Sequence, residues 1–206
     1  MSAAEPASVE PALRELIERL VEERVAARLG GLTTQVEEAL GRLRGLEAAV
    51  VPEQASILVF SGELDRLMSA FIIANGAVAM GLQVSMYFTF WGLVALKKCT
   101  SFAGKTVEEK LLTAMLPGGP AGVGTSKLQM LGMGPVMFKR MMAQHNVETL
   151  PGLITLAREQ GVKLVACQMA MGVMGIREDE LIDGVEFGGA VSYLDDAIQS
   201  KLTLFI

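Results

Sequence analysis

Gly161-Val-Lys-Leu-Val-Ala-Cys-Gln-Met-Ala-Met-Gly-Val-Met-Gly-Ile176 is the stretch that decides the fold of this chain. Val162 to Ala166 form a short apolar run entered through a glycine, the pattern of a strand covered on both faces of a sheet. Cys167 follows at once, and Met169, Met171, Val173, Met174 and Ile176 then continue without strict alternation. A strand that ends in cysteine and turns into a helix puts the sulfur at the carboxyl edge of the sheet, where open α/β sheets place their ligands. The amide groups and dipole of the following helix favour a thiolate there. The residues alone leave two readings of Cys167 open, a buried inert thiol and a reactive sulfur exposed or exposable at that edge.

Working outward, Ser56-Ile-Leu-Val-Phe60 reads as the first buried strand. Ser61-Gly62-Glu63 then turns into a helix over Leu64 to Met80, with Ser61 or Gly62 as cap and Gly81 as the residue just past its end. Gln83 to Phe90, rich in β-branched and aromatic residues, is the second strand. A strand, a helix and a strand in this order form a right-handed parallel crossover, which places the chain in the doubly wound class. Trp91-Gly92-Leu93 opens a short helix ending in Lys97-Lys98. Cys99 to about Gly124 show little periodicity beyond a helical turn at Val107 to Met115. Leu128 to Met142 are rich in Met and Gly and read as a mobile insertion between strands. A helix from Leu150 to Gln160 leads into the Cys167 strand. Ile182 to Phe187 form a fourth strand, Gly188-Gly189 precedes a helix through about Gln199, and Lys201 to Ile206 form the last strand. The expected fold is α/β: a mostly parallel sheet of about five strands with helices on both faces, over residues 55–206.

Residues 1–54 read as an N-terminal helical arm. Residues 1 to about 11 are small, acidic and expected to be disordered. Leu13, Ile17, Leu20, Val21 and Val25 mark one helix, and Gly30-Gly31 interrupts it. Leu32, Val36, Ala39, Leu43, Leu46 and Val50 then alternate in steps of three and four, the spacing of a coiled-coil seam, until Pro52 ends it. So narrow a stripe needs a second helix as partner. An oligomerisation or docking arm is preferred to one folded on its own domain, because the α/β pattern is complete without it.

At 206 residues and 51% hydrophobic, with mean hydropathy +0.41, the chain raises the question of a membrane span. The best candidate, Leu64 to Leu82, contains Asp65, Arg66, Ser69, Asn75 and two glycines, and no apolar run meets the requirement for a span. The first residues lack the basic start and apolar core of a signal peptide, so a cytoplasmic protein is expected. Its excess apolar surface points to a homo-oligomer. A net charge of -5 argues against nucleic acid as a partner. Cys99 and Cys167 are not expected to pair in a reducing compartment. One histidine, His145, excludes a multi-histidine metal site, and Gly118 to Gly124 lack the Gly-Lys-Ser/Thr ending of a phosphate loop. No metal and no cofactor are expected.

Four pieces of the chain resemble the DsrE/DsrF-like family of small sulfur-handling proteins, in the branch related to the DsrE-like domains of coenzyme A disulfide reductases. They are Ile57-Leu-Val-Phe-Ser61 with the Leu64-Asp65-Arg66 helix start, Tyr87-Phe-Thr-Phe-Trp-Gly-Leu93, Leu131-Gly-Met-Gly-Pro135 and, most specific, Ala166-Cys-Gln-Met-Ala-Met-Gly-Val-Met-Gly-Ile176. The resemblance covers about residues 55–206 and leaves the arm outside it. It implies a compact parallel sheet, oligomers, and sulfane sulfur carried as a persulfide on Cys167. It also implies other sulfur-transfer proteins, rhodanese-like or TusA-like, as partners. Many members have an acidic residue where this chain has Gly172.

The resemblance places the glycine-methionine loop near the cysteine, which makes Gly132, Met133 and Gly134 a lid or docking surface, joined by Gln168 and Met169. Lys127 and Lys139, with Arg140, would attract an acidic partner or an anionic sulfur donor, against the plain reading of a solvated charged face. Trp91 is placed near the carboxyl edge, lining the pocket. Cys99 beside Lys97-Lys98 is a resolving thiol in one reading and an incidental surface cysteine in the other. His145 reads as a surface helix residue, Asn75 as a satisfied polar core group, and the methionines as core or interface filler. Three functions follow: a persulfide carrier or sulfurtransferase, a non-catalytic oligomeric assembly module with Cys167 inert, and a thiol redox protein, the last weakened by the lack of a Cys-x-x-Cys pair.

Overall fold

A computed structural model describes residues 9–49, 53–127 and 132–206, with side chains over 13–42, 53–127 and 132–206. The expected disorder of residues 1 to 8, the seam side chains of Leu43, Leu46 and Val50, the stop at Pro52, and Leu128 to Leu131 of the methionine-rich stretch lie outside these residues. Two compact units divide near residue 50.

The first unit is one helix, α1 (Val9–Ala49). Gly30-Gly31 does not interrupt it. Two glycines cost a helix roughly 2 kcal/mol against alanine, but long runs of good helix formers flank them, and elongation is cheap once a helix is nucleated. Thr33 and Thr34 also donate their hydroxyls to the Gly30 carbonyl at 2.8 and 3.0 Å, and Arg19–Glu15 and Arg42–Glu38 pair across one turn.

The second unit is a five-stranded, all-parallel sheet with helices. In chain order come β1 (Gln54–Val59), α2 (Leu64–Ala79), β2 (Gln83–Phe88), a 3-10 segment (Phe90–Leu96), α3 (Val107–Met115), a 3-10 turn (Pro120–Gly122), α4 (Met133–Gln144), α5 (Leu150–Glu159), β3 (Lys163–Cys167), α6 (Gln168–Met174), a 3-10 turn (Glu178–Glu180), β4 (Glu186–Gly188), α7 (Ala190–Ile198) and β5 (Leu202–Phe205). The strand order is β4-β3-β2-β1-β5, with every pairing parallel.

Register decides the two faces. Ile57 lies beside Met86 and Met86 beside Leu164, so Ala55, Ile57, Val59, Val84, Met86, Phe88, Leu164 and Ala166 share one face, and all are buried. α2 covers them and packs in turn on α5, and the Phe71 ring stacks on Phe88 with centroids 5.8 Å apart. Each large side chain buried here contributes roughly 1.5–3 kcal/mol. The opposite face is mixed: Ser56 and Tyr87 are buried there with Val165 and Cys167. α7 lies on this side. Its Asp196 accepts from the Ser85 hydroxyl at 2.6 Å and from Lys163 Nζ at 3.0 Å, and its Tyr193 ring packs on Tyr87 with centroids 5.5 Å apart.

Several local expectations are corrected. The methionine-rich stretch from Met133 onward is a helix, α4, because Gly132 (φ +91°), Gly134 and Pro135 fall at its cap and first turn, where proline is tolerated. The cap residue of α2 is Glu63 without a side-chain bond, and Ser61 instead accepts from Arg66 at 2.9 Å. The fourth strand starts at Glu186 rather than Ile182, because Leu96 and Glu180 take the preceding residues into other bonds: Ile182 N–H donates to the Leu96 carbonyl and Lys98 N–H to that of Glu180, both at 2.8 Å. Asn75 donates to the Leu153 carbonyl at 3.1 Å, while its buried oxygen has no partner.

Candidate functional site

Cys167 closes β3 and caps α6 with extended backbone (φ −70°, ψ 110°). The apolar run that builds β3 therefore ends on the sulfur, and α6 begins with the next residue. Gly175, left-handed at φ +62°, stops α6 after two turns. On one side β2 pairs in register up to Phe88 beside Ala166, and one further step sets Thr89 next to Cys167. On the other side Gly188 of β4 lies beside Cys167. The chain leaves β2 sharply, with Phe90 at φ +46°, a conformation that non-glycine residues rarely adopt.

These neighbours cover the sulfur. Of the two readings of the thiol, exposed or exposable against buried, Cys167 lies at 3% exposure, because Thr89, just past the end of β2, stands beside it and α6 begins with the next residue. Gln168 and Met169, the latter 60% exposed, form the surface next to it. Burial pushes the thiol pKa up. The Tyr87 hydroxyl, the Ala170 amide, the Thr89 hydroxyl and the Met169 amide together outweigh it and hold the thiol below its ordinary value. Burial, and then the nearby sulfur, push the Tyr87 phenol up, so it stays protonated. That hydroxyl is buried with no hydrogen bond formed; it faces the sulfur and gains an acceptor when the sulfur is charged. The arrangement suits a nucleophilic thiolate.

Among the expected site residues, the structure brings Cys167, Gln168 and Met169 together. Trp91, 47% exposed, lines a shallow cleft with Gly62, Glu63, Val94, Leu116 and Pro117. Lys139 donates to the Ala121 carbonyl at 2.7 Å and lines a cavity of about 240 Å³ between Leu64, Met142, Val147 and Pro151; neither cleft includes Cys167. Gly132 and Met133 are exposed, Gly134 is buried at the start of α4, and Lys127 is exposed beside the undescribed residues. Gly172 stands in open space. Tyr87 and Thr89 have no assigned role in the sequence reading. Their spacing of two on one strand is the available signal, and only strand register turns it into proximity to Cys167. Cys99 is exposed, with Sγ 3.7 Å from the Asp179 carbonyl, and both cysteines are free. Among the described residues no three His, Cys, Asp or Glu side chains gather as a metal site, and no helix is long and apolar enough to cross a membrane.

A parallel sheet with a depressed thiol at its carboxyl edge defines a small α/β protein with a strand-end cysteine, and residues 52–205 match the model of the DsrE/DsrF/DrsH-like family. The chain belongs to that family. It is similar to the uncharacterised protein YrkE of Bacillus subtilis, 46% identical over 155 residues, covering 75% of this chain and 97% of that one. It is also similar to the sulfur carrier protein DsrE2 of Allochromatium vinosum, 32% identical over 163 residues, covering 75% of this chain and 98% of that one. Among solved structures, the YchN protein of E. coli is 15% identical with a TM-score of 0.45, covering 74% of this chain and 99% of that one.

Proposed function

We propose that this protein is a sulfur carrier that holds sulfane sulfur as a persulfide on Cys167 and passes it between partner thiols. The observation that carries the reading is the Cys167 thiol, held below its ordinary pKa at the junction of β3 and α6. Membership of the family and the similarity to a sulfur carrier protein support it. In loading, the Cys167 thiolate attacks the terminal sulfur of a donor persulfide, R–S–SH. A new S–S bond forms at Cys167, the donor S–S bond breaks, and R–S⁻ leaves with the electron pair. Delivery is the same step in reverse toward an acceptor thiolate, with no net oxidation.

Residues 55–206 act in this reading as the carrier domain, working in the cytoplasm as a homo-oligomer. Residues 1–54 are a coiled-coil arm that joins subunits. Gln168 and Met169 meet the partner beside the sulfur, and Gly132, Met133, Gly134, Lys127, Lys139 and Trp91 extend the docking surface toward rhodanese-like or TusA-like proteins. The exposed apolar side chains of α4, among them Met133, Val136, Met137 and Met141, support a docking role.

The test is intact mass after incubation with polysulfide or a persulfidated donor protein. Added sulfur that a reductant removes, and that Cys167→Ser lacks, is the expected result. A protein whose Cys167 alkylates readily but takes up no sulfur from any donor returns the assignment to a thiol redox protein. A Cys167 that neither alkylates nor loads returns it to an assembly module.

A further inference from the structure

Burying a hydroxyl without a partner costs free energy, and two hydroxyls on the sheet, those of Ser56 and Tyr87, stand in that condition. Ser56 is enclosed in the middle of β1. Tyr87 is different. It is 4% exposed, lies one residue from the end of β2, and shares a sheet face with Val165 by register and hence with Cys167. Its ring is fixed against Tyr193, so its hydroxyl is aimed by packing rather than by a hydrogen bond.

The geometry points to Tyr87 as the hydrogen-bond donor to the Cys167 sulfur whenever that sulfur is anionic, both as nucleophile in loading and as leaving group in delivery. The assignment rests on the reading of Cys167 as the reactive thiol. While the thiol is protonated the phenol lacks a strong acceptor. When the proton goes to solvent, the thiolate accepts the Tyr87 O–H, and the hydroxyl gains the partner it lacks in the resting state. On attack at a donor persulfide the charge departs with R–S⁻, and the Tyr87 hydroxyl keeps its proton. On delivery an acceptor thiolate takes the terminal sulfur, the S–S bond at Cys167 breaks, and the returning Cys167 thiolate meets the same donor. Burial keeps the phenol protonated throughout. The unpartnered hydroxyl is thus a cost carried by the resting state in favour of the charged one.

The test is the pH dependence of iodoacetamide alkylation of Cys167 in the full chain, with Cys99→Ser leaving a single thiol. Tyr87→Phe is expected to move the midpoint upward and to slow alkylation at neutral pH about tenfold, the effect of one hydrogen bond to a charged group. Thermal stability should hold or rise, because the deleted hydroxyl has no partner in the resting state. Ser56→Ala, which deletes the other unpartnered hydroxyl, should leave the midpoint where it was. A Tyr87→Phe profile that overlays the parent overturns the assignment. If Tyr87→Phe does not fold, 3-fluorotyrosine incorporated in a Tyr193→Phe chain labels Tyr87 alone, since the chain has two tyrosines. The more acidic phenol should lower the midpoint, and an unmoved midpoint again overturns the role. Intact mass separates the two levels. A parent chain that takes up no sulfur sinks the carrier reading while the pH shift still decides Tyr87, and normal loading with unshifted pH profiles sinks Tyr87 alone.

Discussion

Lys105 Nζ lies 2.7 Å from Glu180 Oε2 with both side chains out of solvent, at 2% and 0% exposure, and among the described residues no other ion pair is so enclosed. Glu180 also accepts from the Ser101 amide at 2.7 Å and the Arg177 amide at 2.9 Å, and Lys105 donates to the Thr113 hydroxyl at 3.1 Å. One carboxylate thereby ties the segment after the first 3-10 element to the segment after α6. Removing one partner of a buried pair leaves an uncompensated charge, so Glu180→Gln should cost about 3–5 kcal/mol. Urea denaturation of the variant against the parent measures this, and a loss below about 1 kcal/mol would show that water reaches the pair.

The same carboxylate sets an acid limit. Burial pushes the Glu180 pKa up, but Lys105 and the two amides outweigh it and hold it below the ordinary value. A depressed carboxylate contributes stability that is fully present above its unfolded-state pKa, about 4.3, and is lost as pH falls through the lower folded value. Thermal midpoints of the parent should therefore fall as pH drops below about 4, and Glu180→Gln should show a shallower fall over that window.

Asp65, in the first turn of α2, accepts from the Ser126 amide at 2.8 Å and the Ser126 hydroxyl at 2.6 Å, while Leu64 N–H donates to the Gly124 carbonyl. These bonds pin the glycine-rich segment against the carboxyl edge of β1. Asp65→Ala should cost about 1–2 kcal/mol and open that segment to proteolysis before the domain unfolds. Limited digestion mapped by mass spectrometry reads the outcome, and unchanged cleavage sites would assign the anchoring elsewhere.

Two glycines should respond in opposite directions. A methyl group at Gly92 would overlap the Val59 carbonyl, which is backbone and cannot yield, so Gly92→Ala should destabilise by about 3 kcal/mol. Gly172 lies within α6 in open space, so Gly172→Ala should stabilise by about 0.5–1 kcal/mol through helix propensity. Thermal melts of the two variants, run together, check both signs.

Along α1, Ile17, Val21, Val25, Leu32 and Val36 each keep about half of their surface exposed, between 50% and 56%. A stripe of that kind gains its burial from another helix. Light scattering should give the full chain a larger oligomer than a chain starting at Glu53. Equal subunit numbers for the two would show that the arm does not join subunits.

The class of fold was legible because its signals are short-range. The apolar runs at Ile57 and Val162, the amphipathic helix between the first two strands, and the cysteine at a strand end each lie within one element, and a parallel sheet leaves its strands continuously apolar. Where reading stopped at glycine and proline it erred. Gly30-Gly31 lies inside an unbroken helix, and the Gly-Met-Gly-Pro run starting at Gly132 opens α4 rather than a loop, because the cost of a weak helix former depends on its position and on its neighbours.

The amino-acid sequence by itself determined that a thiol stands where β3 becomes α6, since that junction follows from local backbone preference. Only the tertiary structure decided what surrounds the sulfur. Tyr87 and Thr89 reach it through the β2–β3 register, and Lys105 meets Glu180 through the closure of two distant segments. Such pairings are chosen by the packing of the whole sheet, where a one-residue slip would turn every side chain to the other face, and no local propensity encodes that choice.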